Sequence, residues 1–389
     1  MSALKQRLID HIRDNGPMTV AEFMGACLYD PNDGYYATRP SIGGAGADFL
    51  TAPEASQMFG ELIGLWCAHE WDALAKPAFN WIELGPGSGA LMQDMLRATQ
   101  RIEGMHDAAS VILIETSGPL RSAQTERVPA AEWALRLEDA PPGPSLIVGN
   151  EFLDCLPIRQ FVYGEDGWHE KLVGADEADQ LIFGLSSAIP APDSDDEIGA
   201  VREIAPALDV LIYEIERRLH EAPGRALLID YGYVRPEGAD TLQALKRHQK
   251  VDPLDAPGEA DLTAHVDFAR VAHLAQGQDQ AHRVEGAVGG ELLRQQAAAP
   301  QARRSGLLLG DAHRVGQRGT LDVAGPITQA QFLRGLGIEF RTEALSRANP
   351  EHADRLAREL RRLTHDEEMG ALFKVICLSS PNLPAPAGF

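Results

Sequence analysis

The run Glu83-Leu84-Gly85-Pro86-Gly87-Ser88-Gly89 concentrates more chemically useful residues than any other stretch of the chain. Glycines at alternate positions let the backbone bend sharply and approach a ligand, because no Cβ stands in the way. Trp81 and Ile82 before the turn read as the end of a strand. Leu91, Met92, Met95 and Leu96 after it read as an amphipathic helix, whose first amides and dipole favour a ligand seated on the turn. The dinucleotide pattern is G-x-G-x-x-G. This turn is one residue shorter, and a glutamate lies two positions before its first glycine. A carboxylate there repels a pyrophosphate and suits the ammonium and sulfonium end of S-adenosylmethionine. Glu83, Gly85, Gly87 and Gly89 are therefore read as cofactor-binding residues.

Two further groups belong to the same reading. The apolar stretch 110–114 ends in Glu115-Thr116. At a strand's C-terminal end, where open α/β sheets bind ligands, Glu115 can accept both ribose hydroxyls with Thr116 beside it. Asn150, Glu151 and Asp154 follow the apolar stretch 145–149 and are the candidate catalytic residues. Carboxylates there can orient an acceptor group and help take its proton. The same three also fit a plain helix start, with Asn150 as N-cap. Asp48, Thr51 and Glu54 read as a lid over the cofactor, or Thr51 as a helix cap with Glu54 in the first turn. Asp230 and Tyr231 fall on the acceptor side. His265 and Asp267 read as first-turn helix residues behind a Thr263 cap.

The elements that must position these residues alternate. Strands are expected at 81–84, 110–116, 133–137, 145–149, 225–230 and 373–378, with helices between them, including 208–219. A long helix beginning near Pro53 and a helix opened by Asn349-Pro350 are also expected. The pattern predicts an α/β fold with a doubly wound, mostly parallel, Rossmann-like sheet. An N-terminal helical part over 1–75 would precede the main domain of 76–389. Helix signals in that part are a stop at Asn15-Gly16-Pro17 and a capping box at Thr19–Glu22. A hairpin is expected near 159–183, followed by an acidic, mostly solvated loop to 197. The Gln-, Ala- and Gly-rich stretch 276–325 reads as a flexible insertion.

Composition narrows the function. At 389 residues with 44% hydrophobic content, the chain can bury a large core in one or two domains. A net charge of −22 argues against binding nucleic acid, which needs a basic stripe, and fits a small-molecule ligand or a basic protein segment. The four cysteines are far apart, and the twelve histidines form no H-E-x-x-H pair, so no metal site is expected. Without a secretory h-region or a membrane-length apolar run, the expected location is the cytoplasm.

Blocks across the chain together resemble the MidA-like methyltransferases, relatives of a mitochondrial complex I assembly factor. They include Gly16–Met24, Gly34-Tyr35-Tyr36, Asp48–Glu54, the Glu83–Gly89 turn, Glu115-Thr116-Ser117, Asn150–Pro157, Asp230-Tyr231-Gly232 and Asp261–Phe268. The resemblance implies a class I S-adenosylmethionine fold and methylation of an arginine on a protein substrate, with a NADH dehydrogenase subunit as the suggested acceptor. Ser88 departs from the family turn, which carries an arginine there. Two other classes stay open: a nucleotide-dependent oxidoreductase on the same sheet, and an assembly chaperone that binds the cofactor without turnover. Oligomeric state is not legible.

Overall fold

Six consecutive buried residues, Phe79–Leu84, form a strand (β1) covered on both faces, the signature of the middle of a parallel sheet. This computed structural model describes residues 2–39, 51–191, 196–235, 238–278 and 320–389. In chain order the other core strands are β2 (Ala109–Ile114), β3 (Glu132–Ala134), β4 (Ser145–Asn150), β5 (Gly224–Tyr233), β6 (Asp322–Thr328) and β7 (Phe373–Ser379). They lie in the order β6-β7-β5-β4-β1-β2-β3. The neighbours from β3 to β5 are parallel, and β7 runs antiparallel between β5 and β6. Strand order reverses between β1 and β4, so the crevice beyond their C-terminal ends is where such a sheet binds ligands. Register brings Leu84 beside both Ile114 and Gly149, which lines up the residues that follow each strand.

Helices cover both faces. Gln57–Ala73 and Ala90–Thr99 share one apolar core with Trp66, Trp81 and Met95, while Pro206–Glu221 and Phe268–Ala275 pack on the other side with Ile147 and Leu228. Gly60 and Gly64 allow the first two helices to touch: a Cβ at Gly64 would stand 2.7 Å from the Met95 Cα. The doubly wound architecture expected from the alternation is present.

A second core forms beside the sheet. Ala3–Asn15 and Val20–Tyr29 pack Ile9, Phe23 and Leu28 against Val173 and Leu181 of a five-stranded antiparallel sheet and against Leu262 of a small three-stranded one. The Thr19 capping box is made, with Glu22 returning the bond. The expected hairpin, Arg159–Gly164 with Gly167–Ala175, is the centre of the larger sheet, which also takes in Met18–Thr19, Leu181–Leu185 and Val201–Ile204.

The described residues of 176–197 are mostly loop, as expected, and the apolar piece 181–183 lies in the strand Leu181–Leu185. Asp176 Oδ1 accepts from the amides of Ala178 and Gln180, and this turn sends Leu181–Leu185 back along the hairpin. Other expectations need correction. The helix near Pro53 is two helices. Ala52–Ala55 ends at Ser56, which sits in the extended region and starts Gln57–Ala73 by capping Met58 N. Asn349-Pro350 opens only a 3-10 turn before Ala353–Thr364. β6 begins at Asp322, inside the stretch read as flexible; residues 279–319 of it lie outside the described residues.

One buried ion pair ties the sheet to its cover. Arg225 Nε stands 2.8 Å from Glu70 Oε2, both side chains fully buried, and the same guanidinium donates to Ser379 Oγ and the Pro384 carbonyl. Removing one partner strands a charge in apolar surroundings. Arg225→Met should therefore lose about 3–5 kcal/mol of stability in urea titration; a loss under about 1 kcal/mol would mean that Glu70 finds another partner.

Candidate active site

Gly85, Gly87 and Gly89 all adopt positive φ (59°, 52° and 81°), the left-handed region open to glycine. A Cβ at Gly85 would strike the Phe152 ring at 2.6 Å, whereas one at Gly87 meets nothing within 4 Å. Gly89 caps Ala90–Thr99 without a side-chain hydrogen bond, so the helix start presents bare amides at the turn. The turn forms one wall of an open cleft.

Glu83 points into this cleft from the end of β1. It is 3% exposed, its Oε2 has no hydrogen-bond partner among the described residues, and burial pushes its carboxyl up to about 8. A carboxylate held this way is short of a cation. Glu115, on the neighbouring strand end, also lines the cleft. Its oxygens accept from Ser117 N (2.8 Å) and Gln124 Nε2 (3.2 Å), which fixes its orientation. Thr116 is exposed at the rim.

Thr51, Pro53 and Glu54 also line the cleft. Thr51 occupies the cap position of Ala52–Ala55 but makes no capping bond. Asp48 lies outside the described residues. Ser88 Oγ donates to Glu54 Oε1 at 2.5 Å and accepts from Arg127 Nη1 at 3.1 Å. A guanidinium from the helix Gly118–Arg127 thus reaches the turn.

The 150–154 segment is not a helix start. Asp230, fully buried, accepts from Phe152 N (3.0 Å), Leu153 N (2.8 Å) and Asp154 N (3.2 Å) through one oxygen and folds the segment into a turn. Asp230 therefore holds the loop rather than lining the acceptor side. Glu151 is left at φ +50°, rare for a non-glycine residue, with its side chain in the cleft. Its Oε1 accepts from Ala52 N and Asn150 Nδ2, both at 3.1 Å, and burial pushes it up to about 7. Asp154, pushed by burial up to about 6, accepts from the Tyr231 hydroxyl at 2.6 Å. Tyr231 acts on the cleft through Asp154. Asp267, not Thr263, caps the helix Phe268–Ala275, and His265 precedes it in the chain between two short strands.

The described candidates for cofactor and catalysis thus meet around one cleft. Tyr29, Tyr36, Arg136 and Asp261 line it too, and the residue patterns gave none of them a role. Tyr36 and Asp261 fall in blocks that carried the family resemblance, the signal that could have drawn attention to them. Among the described residues no three His, Cys, Asp or Glu side chains are grouped to hold a metal, and no helix is long and apolar enough to cross a membrane.

Residues 62–286 match the family described as "Putative S-adenosyl-L-methionine-dependent methyltransferase". The chain belongs to this family. This methyltransferase is 31% identical to the Danio rerio protein arginine methyltransferase NDUFAF7, mitochondrial, over 96% of its own length and 87% of that protein. It is 32% identical to the Homo sapiens protein of the same name, covering 97% and 83% of the two chains. Among solved structures, a protein from Burkholderia thailandensis described as a "likely methyl transferase", bound to S-adenosyl-homocysteine, superposes with a TM-score of 0.76 at 25% identity, over 99% of this chain and 94% of that one. The class I fold and dependence on S-adenosylmethionine follow, and the oxidoreductase reading falls.

Proposed function

We propose that this methyltransferase transfers a methyl group to an arginine side chain of a protein. The observation that carries the reading is the pair Glu151 and Asp154, two carboxylates on one rigid loop, facing the cleft that holds Glu83 and the glycine turn. The names of the relatives support the same acceptor. When bound, S-adenosylmethionine supplies an electrophilic methyl group on a sulfonium. The chain's part is to fix the acceptor nitrogen in line, exclude water and receive a proton. Glu83, with its orphaned oxygen, and the glycine turn, with room at Gly87, fit the cofactor's ammonium end. Glu115 suits a ribose. Glu151 pairs with the guanidinium and, buried near neutrality, is placed to take the proton lost on methylation.

The finer proposals are a NADH dehydrogenase subunit as acceptor and a cytoplasmic location, the latter in keeping with four free, buried cysteines. The test is transfer of radiolabel from S-adenosylmethionine into proteins of a lysate from the source organism. A labelled band whose label is released as methylarginine supports the reading. Tight cofactor binding with no label in any protein would favour the chaperone that binds without turnover.

Glu83 gives a separate prediction. A protonated carboxyl must ionise to meet the cofactor's ammonium, so binding lowers its pKa and releases a proton. Affinity for S-adenosylhomocysteine, which keeps that ammonium, should rise as pH approaches about 8 from below and level off above it. Calorimetry near neutral pH in buffers of different ionisation enthalpy reads the released proton directly. A flat pH profile with no proton release would leave Glu83 a purely structural acid.

A further inference from the structure

Segments far apart in the chain bring hydrogen-bonding groups to the Asp154 end of the cleft. Asp261, on the short strand Asp261–Thr263, is 2% exposed and accepts from the Tyr36 hydroxyl at 3.1 Å. Asp154 accepts from Tyr231, and Tyr29 donates to the Cys155 carbonyl at 2.9 Å. The Asn150 amide and Ala52 N both donate to Glu151. The three tyrosine hydroxyls, the Asn150 amide and Ala52 N all donate to acceptors of the protein itself. Carboxylate and amide oxygens line the cleft. Asn150 lines the cleft with a side chain more than nine-tenths buried, and its Oδ1 has no partner among the described residues.

We infer that Asp261 joins Asp154, Glu151 and Asn150 Oδ1 in a subsite made of acceptors, whose ligand is a donor-only planar cation, a guanidinium, and that Asp261 itself binds the methyl acceptor. This rests on the transfer reading and deepens it by naming what selects the substrate. A hydroxyl, amide or carboxylate ligand would bring lone pairs against lone pairs, leaving buried acceptors unmatched. A guanidinium carries five N–H donors in a plane and no acceptor, so it can serve several oxygens arranged around it. An ammonium has donors too, but they diverge from one point. Tyr29 and Tyr36, with ring centroids 5.6 Å apart on the same wall, add aromatic faces that favour a flat cation.

The test uses the full chain saturated with S-adenosylhomocysteine. Nα-acetyl methylamides of arginine, lysine and asparagine are titrated in by NMR. The wild type should bind the arginine probe, bind the lysine probe at least about tenfold more weakly, and ignore the asparagine probe. Asp261→Asn should weaken the arginine probe by about tenfold or more while keeping affinity for S-adenosylhomocysteine. Should that variant not fold, Tyr36→Phe keeps the carboxylate but removes the hydroxyl that holds it; a threefold to tenfold weakening is expected, on the order of one neutral hydrogen bond. An Asp261→Asn protein, or failing that Tyr36→Phe, that binds arginine like the wild type overturns the proposal. So does a wild type that prefers asparagine or binds no probe. If such a wild type still labels arginine in a lysate, only this subsite falls; if it labels nothing, the transfer reading falls with it.

Discussion

Glu151→Gln should reduce methyl transfer about ten- to a hundredfold, the loss of one charge-assisted contact worth roughly 1.5–3 kcal/mol, with cofactor affinity little changed. The loop geometry makes this substitution informative. Glu151 Oε1 receives Ala52 N and Asn150 Nδ2, and a glutamine's amide oxygen can take that place, leaving the link between the two walls of the cleft intact. What disappears is the negative charge and the site that can accept a proton. Because burial holds Glu151 at about 7, wild-type transfer should climb as pH rises through that value, when the carboxylate becomes available. The glutamine protein should lack that limb. Single-turnover rates at saturating labelled cofactor, measured across pH, decide the matter. A wild-type rate with a wild-type profile would return Glu151 to the role of tying Ala52 in place.

Gly87→Val should abolish measurable cofactor binding while the fold survives. An added Cβ at Gly87 enters open space in the cleft, where the proposed site seats the ligand. The positive φ adds a second cost, about 1–2 kcal/mol for a left-handed residue with a Cβ and more for a branched one. The sheet beneath the turn should stay folded because its packing lies below Leu84. Isothermal titration with S-adenosylhomocysteine should show affinity weakened by at least about a hundredfold, around 3 kcal/mol, with far-ultraviolet dichroism unchanged. Retained affinity in a folded Gly87→Val protein would place the cofactor elsewhere. Gly85→Val would be less telling, since its Cβ meets Phe152 and disturbs the loop as well as the ligand.

The parallel sheet and its glycine turn were legible because strand periodicity, turn residues and a strand-end acid are local signals. Asp230 was misplaced for the opposite reason. A strand-end carboxylate looks the same in sequence whether it faces a ligand or three backbone amides, and only the fold of the Asn150–Asp154 loop decides. That loop read equally well as a helix start, because Asn followed by acidic residues is the usual capping composition. Asp230 diverts the amides that such a helix would have used. Tyr36 and Asp261 had no local signal: they approach from either side of the second core, 225 positions apart. The break at Ser56 was hidden because the apolar periodicity continues through it while the extended backbone of the serine interrupts the helix.

The place of β7 has a consequence for how the protein is made. It follows every other core strand in the chain, yet it lies between β5 and β6 and pairs with residues 225–231 of β5. A ribosome releases the chain in order, so until residues 373–379 emerge, β5 carries an open edge and Arg225 lacks its Ser379 partner. Unpaired edges of this length invite association between chains. Translation stalled before residue 373 should therefore give a nascent chain that binds chaperones and is degraded, however complete its cofactor cleft. The active site is synthesised early and secured late.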